Sequence, residues 1–151
     1  MPITVKQKEL TAVGISVAAG CKPCTNYHLK AVRKAGASDE EIKQAVADAV
    51  AVRERATQIM QAHALTRLGE AEQDSDPTPT EETNRMQVLV SIGAAFGVNC
   101  VTTLEKYLAA AETVGLSQDD IAEIVKLAAF IKDKAISHVE RRVGLMEEEV
   151  V

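Results

Sequence analysis

Two cysteines and a histidine are the residues of this chain whose types and spacing most clearly suggest chemistry. Cys21, Cys24 and His28 stand at positions i, i+3 and i+7, which share one face of a helix. Pro23 suits the first turn of such a helix, so the pair is predicted at a helix N-terminus, where the dipole and free N–H groups stabilise a thiolate. Because the thiolate is the reactive form of cysteine, the pattern indicates a reactive pair rather than two packed apolar residues.

A proton relay can be built beside this pair. His28 follows Cys24 by one turn and can accept or return a proton near neutral pH. Glu9 belongs to the preceding stretch, which is predicted to form an antiparallel helix, and its carboxylate can orient the imidazole of His28. His63 and His138 show no partner pattern and are interpreted as surface residues.

The chain is predicted to be two copies of one unit. A shift of 79 residues, from Cys21 to Cys100, aligns the halves without a gap. Identical pairs include Gly14/Gly93, Gly36/Gly115, Ser38/Ser117 and Ile42/Ile121. The second copy lacks most of the polar set, since Cys24, His28 and Glu9 are matched by Thr103, Tyr107 and Val88. The fold therefore does not require that set, and Cys100 is interpreted as a packed residue.

Each copy is predicted to form three helices, which makes one all-α domain over 1–151 with two pseudo-symmetric repeats. The predicted helices are about 5–19, 23–35 and 38–68 in the first repeat, and about 82–97, 101–114 and 117–143 in the second. A polar, Pro-broken linker is predicted at about 71–81, and a loose tail at 147–151.

Local signals support these boundaries. Gly36 and Gly115 stand where a C-terminal capping glycine belongs, and Ser38 with Glu41 makes a capping box. The stretch Ile124–Ile131 is apolar nearly all round, which predicts a helix at the centre of the fold or at a subunit contact. We therefore expect a homo-oligomer joined through apolar helix faces.

Composition narrows the class of protein. The chain is 46% hydrophobic with only 3% aromatic residues and no Trp, which favours close-packed helices over an aromatic-rich β-sandwich. A net charge of −5 without a basic block argues against nucleic acid or an anionic membrane surface as partner. One close pair among three cysteines is not a secreted disulfide framework, so a cytoplasmic protein is predicted.

A lipoprotein signal is the alternative interpretation of the N-terminus. Lys6 and Lys8 precede the apolar stretch Leu10–Gly20, which leads to Cys21. The acidic Glu9 argues against this alternative, and so does the recurrence of the pattern in mid-chain. No stretch is long enough to span a bilayer.

The pattern Glu-x11-Cys-x2-Cys-x3-His, formed by Glu9, Cys21, Cys24 and His28, resembles the signature of the AhpD-like, carboxymuconolactone decarboxylase family. The run Gly36–Ser38 before an acidic helix start is similar to that family as well. The resemblance implies an oligomeric all-α fold and peroxidase or disulfide reductase activity. It also implies that Cys24 is the exposed attacking thiol, that Cys21 closes the disulfide, and that Glu9 and His28 relay the proton.

The resemblance further implies a small hydroperoxide or disulfide as substrate and a dithiol, lipoyl or thioredoxin-like, as electron donor. The sequence departs from the best-known two-repeat member in two ways. The active set lies in the first repeat here, and Pro23 replaces a histidine that precedes the second cysteine in that member. The resulting Cys-Lys-Pro-Cys is similar to a thioredoxin-type redox motif, which leaves the substrate and donor open.

Three other functions stay open at this point. A zinc site is one, since Cys21, Cys24 and His28 are good ligands and Cys100 is a fourth candidate. A carboxymuconolactone decarboxylase-type enzyme is the second, and a non-catalytic assembly module is the third. No flavin, haem or nucleotide motif is present, so no bound cofactor is predicted.

Overall fold

Three helices in each half of the chain make up the structure, a computed structural model that describes residues 1–70 and 83–144. The first half contains α1 (Val5–Ala19), α2 (Lys22–Lys34) and α3 (Asp39–Arg67). The second half contains α4 (Arg85–Gly97), α5 (Val101–Ala111) and α6 (Gln118–Arg142). No strand occurs in the described residues, which confirms the predicted all-α class with two three-helix repeats. The predicted linker and tail lie outside them.

Most helix ends agree with the sequence signals to within about a turn, but α5 is shorter than predicted. It ends at Ala111 instead of 114 because the chain has already begun its closing turn there. Leu116 donates its N–H to the Ala111 carbonyl at 3.0 Å, while Gly115 takes the left-handed conformation at φ 77°. This is a Schellman turn, which only a residue tolerant of positive φ can close.

The two repeats meet where α1 packs against α4 at the centre of the molecule. Each helix has a glycine at the contact, and neither glycine has room for a Cβ atom. A Cβ added at Gly14 would stand 2.7 Å from Val90 Cγ1, and one at Gly93 would stand 2.6 Å from Ile15 Cγ1. The glycines therefore allow the two backbones to approach more closely than alanine would.

The last helix of each repeat also packs against the first helix of the other repeat. α3 packs against α1 and α4, and α6 packs against α4 and α1. The predicted apolar stretch of α6 lies at the centre of the fold, since Ile124, Ala128 and Ile131 are all buried. Phe130 of the same stretch is 57% exposed. Because α6 packs against both repeats, its end lies next to the start of α2.

Capping boxes fix the starts of α3, as predicted, and of α6. Ser38 Oγ accepts the N–H of Glu41 at 3.1 Å, and Ser117 Oγ accepts that of Asp120 at 3.1 Å. Each carboxylate accepts the N–H of its serine in return, and this hydrogen bond is the main reason that the pKa of both carboxyl groups is lowered. No helix in the described part of the chain is long and apolar enough to cross a membrane.

Candidate active site

A tight turn between α1 and α2 sets the position of Cys21. Gly20 takes a left-handed conformation at φ 74°, and the N–H of Cys21 returns to the carbonyl of Ser16 at 3.0 Å. This turn ends α1 and makes the next residue, Cys21, the N-cap of α2. Arg53 of α3 donates to the carbonyl of Ala18 at 2.9 Å, which holds the end of α1 from the other side.

Cys21 and Cys24 form a disulfide across the first turn of α2, with their Cα atoms 5.3 Å apart. The backbone N–H of Cys24 donates to Cys21 Sγ at 3.3 Å. The sulfur of Cys21 therefore takes the place that a serine oxygen has in an ordinary helix cap. When the disulfide opens, the same N–H and the helix dipole favour negative charge on Cys21.

Glu9 and His28 meet between α1 and α2. Glu9 Oε2 lies 2.9 Å from His28 Nδ1, and both side chains are largely shielded from solvent. Because a carboxylate only accepts, Nδ1 of a neutral His28 carries the proton and Nε2 is left free to accept one. The Tyr27 ring stands nearly perpendicular to the imidazole, with the ring centres 5.0 Å apart.

A second histidine lies closer to the disulfide than the sequence indicated. The two sulfurs and a ring nitrogen of His138, in the last turns of α6, all lie within 4.8 Å of one another. The interpretation of His138 as a surface residue was wrong, because its side chain is half-buried beside the disulfide, whereas His63 is exposed as expected. His28 is not part of this group, and within the described residues it makes no hydrogen bond to either sulfur.

The sequence held no usable signal for His138. It lies 117 residues after Cys21, and its counterpart one repeat earlier is Ile59, which shares no chemistry with it. It lies near the cysteines only because α6 packs against the first repeat. A prediction would have required the packing of α6 against α2, which no local pattern encodes.

The disulfide is buried, and this corrects the exposed Cys24 that the resemblance implied. Cys21 is 3% exposed and Cys24 is 8% exposed, because both pack against Ala128 and Ile131 of α6. A surface opening reaches the pair from one side. It is lined by the start of α2, including Cys21, and by the end of α6, including His138.

The second repeat repeats the geometry without the chemistry. Asn99 takes the left-handed place of Gly20 at φ 61°, and Cys100 becomes the N-cap of α5. Cys100 is buried and free, and its thiol lies 3.2 Å from Thr103 Oγ1. Cys100 is therefore a packed residue, as expected.

A metal would have to use a different set of ligands from the predicted one. In the described residues, the one group of three suitable side chains is Cys21, Cys24 and His138, without Cys100 or His28. Two sulfurs and one nitrogen suit zinc, with one position left open. Metal binding requires thiolates, so this set is available only when the disulfide is reduced.

Comparison with known proteins supports the signature. Residues 2–67 match the model of the carboxymuconolactone decarboxylase family. This match spans α1, α2 and α3, the part of the chain that carries the signature residues, and the family includes the AhpD-like proteins. The resemblance predicted from Glu9, Cys21, Cys24 and His28 is thus confirmed. Searches of curated proteins and of solved structures gave no match.

Proposed function

We propose that this protein is a thiol–disulfide oxidoreductase that reduces small hydroperoxides through Cys21 and Cys24. The observation that carries the proposal is the disulfide at the start of α2 beside a Glu9–His28 pair at 2.9 Å. A disulfide between two family-signature cysteines favours redox chemistry over the decarboxylase alternative, which has no use for it. An oriented base near the pair argues against a purely structural role.

The reaction begins with the reduced pair. Glu9 holds His28 with Nε2 ready to accept a proton, and the Cys24 thiol gives up its proton to it. Since no hydrogen bond joins His28 to the sulfur in the oxidised protein, a bridging water carries this proton. The resulting thiolate is the nucleophile.

Oxidation then proceeds in two steps. The Cys24 thiolate attacks one oxygen of the hydroperoxide, the O–O bond breaks, and the alcohol leaves after taking a proton from His28. Cys24 is now a sulfenic acid. The Cys21 thiol gives its proton to solvent, and its thiolate, stabilised by the N–H of Cys24, attacks the Cys24 sulfur. The S–O bond breaks, and the hydroxide leaves as water after taking up a proton as the disulfide closes.

An external dithiol returns the protein to its starting state. The opening beside the pair is lined by Cys21 and not by Cys24, so the donor thiolate attacks Cys21 Sγ and Cys24 leaves as a thiolate. His138, close to both sulfurs, supplies positive charge or a proton as the bond breaks. The donor's second thiol then releases Cys21, and the donor becomes a disulfide.

A peroxidase assay tests the proposal. Loss of tert-butyl hydroperoxide is followed with dihydrolipoamide as donor. Cys21→Ser and Cys24→Ser each abolish multiple turnover, whereas Cys100→Ser, a buried cysteine outside the pair, keeps activity. A double Cys21→Ser/Cys24→Ser variant with full activity would show the proposal to be wrong.

The order of attack has its own test. After one equivalent of peroxide, a sulfenic-acid reagent such as dimedone labels Cys24 in the Cys21→Ser variant. The Cys24→Ser variant stays unlabelled at Cys21. The reverse pattern would assign the attack to Cys21.

A further inference from the structure

The opening beside the disulfide is lined by basic side chains from two helices. Lys22 comes from the first turn of α2, and His138, Arg141 and Arg142 come from the end of α6. Lys22 and both arginines are exposed. Among the residues that the structure describes, no acidic side chain lines the opening.

These basic side chains are available to a ligand. No side chain among Lys22, His138, Arg141 and Arg142 makes an ion pair or a hydrogen bond within the described residues. Other basic groups of the molecule are engaged, such as Lys6 with Glu41 at 3.1 Å and Lys8 with Glu123 at 3.5 Å. The opening thus gathers unpaired positive charge where the disulfide is reached.

The local charge runs against that of the chain as a whole. The net charge is −5, and such a molecule repels an anion in general. A positive opening on a negatively charged molecule attracts an anion to that opening, which leads to the disulfide. The attacking group in disulfide exchange is itself a thiolate, so the same charges also favour its approach.

We propose that the opening selects an anionic dithiol, one that carries a carboxylate or a similar group near its thiols, as the electron donor. This inference rests on the proposed function. The donor thiolate attacks Cys21 Sγ, the S–S bond breaks, and its electron pair goes to Cys24. The donor's second thiolate displaces Cys21 from the mixed disulfide, so the donor is oxidised to a disulfide and the protein gains two thiols.

Two donors that differ by one charge test the inference. Dihydrolipoate and dihydrolipoamide have the same dithiol, but only the first carries a carboxylate. Reduction of the oxidised protein is measured with each at low salt, and each rate is divided by the rate of that donor with a small neutral disulfide. We expect dihydrolipoate to be preferred about three- to tenfold, and the preference to shrink at high salt.

Substitutions show whether the opening causes the preference. The double variant Arg141→Gln/Arg142→Gln should lose the preference, because reduction by dihydrolipoate falls more than reduction by dihydrolipoamide. Lys30→Gln is the matched control, because Lys30 is an exposed cation of α2 that does not line the opening. It should keep the full preference.

The possible results separate the two proposals. Equal normalised rates for both donors, at any salt concentration, would overturn the anionic-donor inference and leave the proposed function standing. A preference that survives in the arginine variant, or disappears in Lys30→Gln, would also overturn it. If neither dithiol reduces the disulfide, the proposed function and the inference both fail.

Discussion

At the scale of single residues, the proposed chemistry depends on two hydrogen bonds and on one histidine near the sulfurs. The N–H of Cys24 donates to Cys21 Sγ, Glu9 pairs with His28, and a ring nitrogen of His138 on α6 lies within 4.8 Å of both sulfurs. The first favours a thiolate on Cys21, and the second leaves one imidazole nitrogen free to act as a base. The third adds a group from the opposite repeat. Each of the three can be removed by one substitution.

Removing the base should slow the formation of the thiolate. His28→Ala is expected to lower peroxidase kcat/KM on the order of 100-fold, which is typical of a lost general base. The pKa of the Cys24 thiol should rise, because no imidazole takes up its proton. The pH dependence of iodoacetamide alkylation in the reduced protein measures this change.

The control for this prediction is His63→Ala, which removes an exposed histidine of α3. It should alter neither quantity. Wild-type alkylation and turnover in His28→Ala would remove His28 from the mechanism. Glu9→Gln should give a smaller effect in the same direction, since it leaves the imidazole in place but loses its charged partner.

At the scale of the helices, the α1–α4 contact positions everything else. Gly93 lies against Ile15, whose Cγ1 would be 2.6 Å from an added Cβ. Gly93→Ala gains about 1 kcal/mol in helix propensity but overpacks a buried contact at a cost of about 1–3 kcal/mol. We expect a net loss of about 1 kcal/mol in the free energy of unfolding, measured by urea denaturation.

The matched control is Gly97→Ala on the same helix. A Cβ there would meet its nearest neighbour, Ile15 Cγ2, at 3.8 Å, which is an ordinary contact. This variant should be neutral or slightly more stable. If Gly93→Ala were as stable as Gly97→Ala, the close approach of α1 and α4 would be disproved.

The helix caps make part of the stability depend on pH. The pKa of Glu41 is lowered in the folded protein by its hydrogen bond from the N–H of Ser38 and by Lys6. A carboxyl group whose pKa is lower in the folded protein than in the unfolded chain stabilises the fold at pH values above its unfolded pKa. This stabilisation is lost as the pH falls through the pKa of the folded state. Glu41→Gln should therefore be less stable than the wild type at pH 7, and the gap should close as the pH falls.

Urea denaturation at a series of pH values checks this. The control is Glu40→Gln, one residue earlier in the same turn. Glu40 does not make the capping hydrogen bond, so this variant should show a smaller difference in stability from the wild type. A gap for Glu41→Gln that widens towards acid pH would contradict the sign of the linkage.

At the scale of the whole molecule, the repeats explain which features the sequence could predict. The start of α1, the capping boxes of α3 and α6 and the division into six helices follow from local signals, and all are present. The pairing of Glu9 with His28 was also predictable, because consecutive antiparallel helices bring these positions together.

Features that arise between the repeats were not predictable. His138 and the burial of Cys24 both result from α6 crossing to the first repeat. The active set is confined to one repeat, so comparing the two halves gave no hint of His138. The basic opening was hidden for the same reason, since Lys22 and Arg141 are distant in sequence.

Assembly is a further prediction at this scale. Phe130 is 57% exposed and Ile136 is 47% exposed on α6, and we propose that such apolar faces join copies of this chain. Light scattering should give a mass of two or more chains of 16.2 kDa each, and Phe130→Asp should lower this mass. A wild-type monomer at micromolar concentration would contradict the proposal.

Thiol counting tests the central claim most directly. The reduced protein is treated with mild peroxide, unfolded, alkylated and analysed by mass spectrometry, and a second sample is treated with dihydrolipoamide before unfolding. We expect two of the three thiols to disappear with peroxide and to return with the dithiol, with both mapped to Cys21 and Cys24. Three thiols that persist after peroxide, or a loss that maps to Cys100, would contradict the claim that this pair is a redox centre.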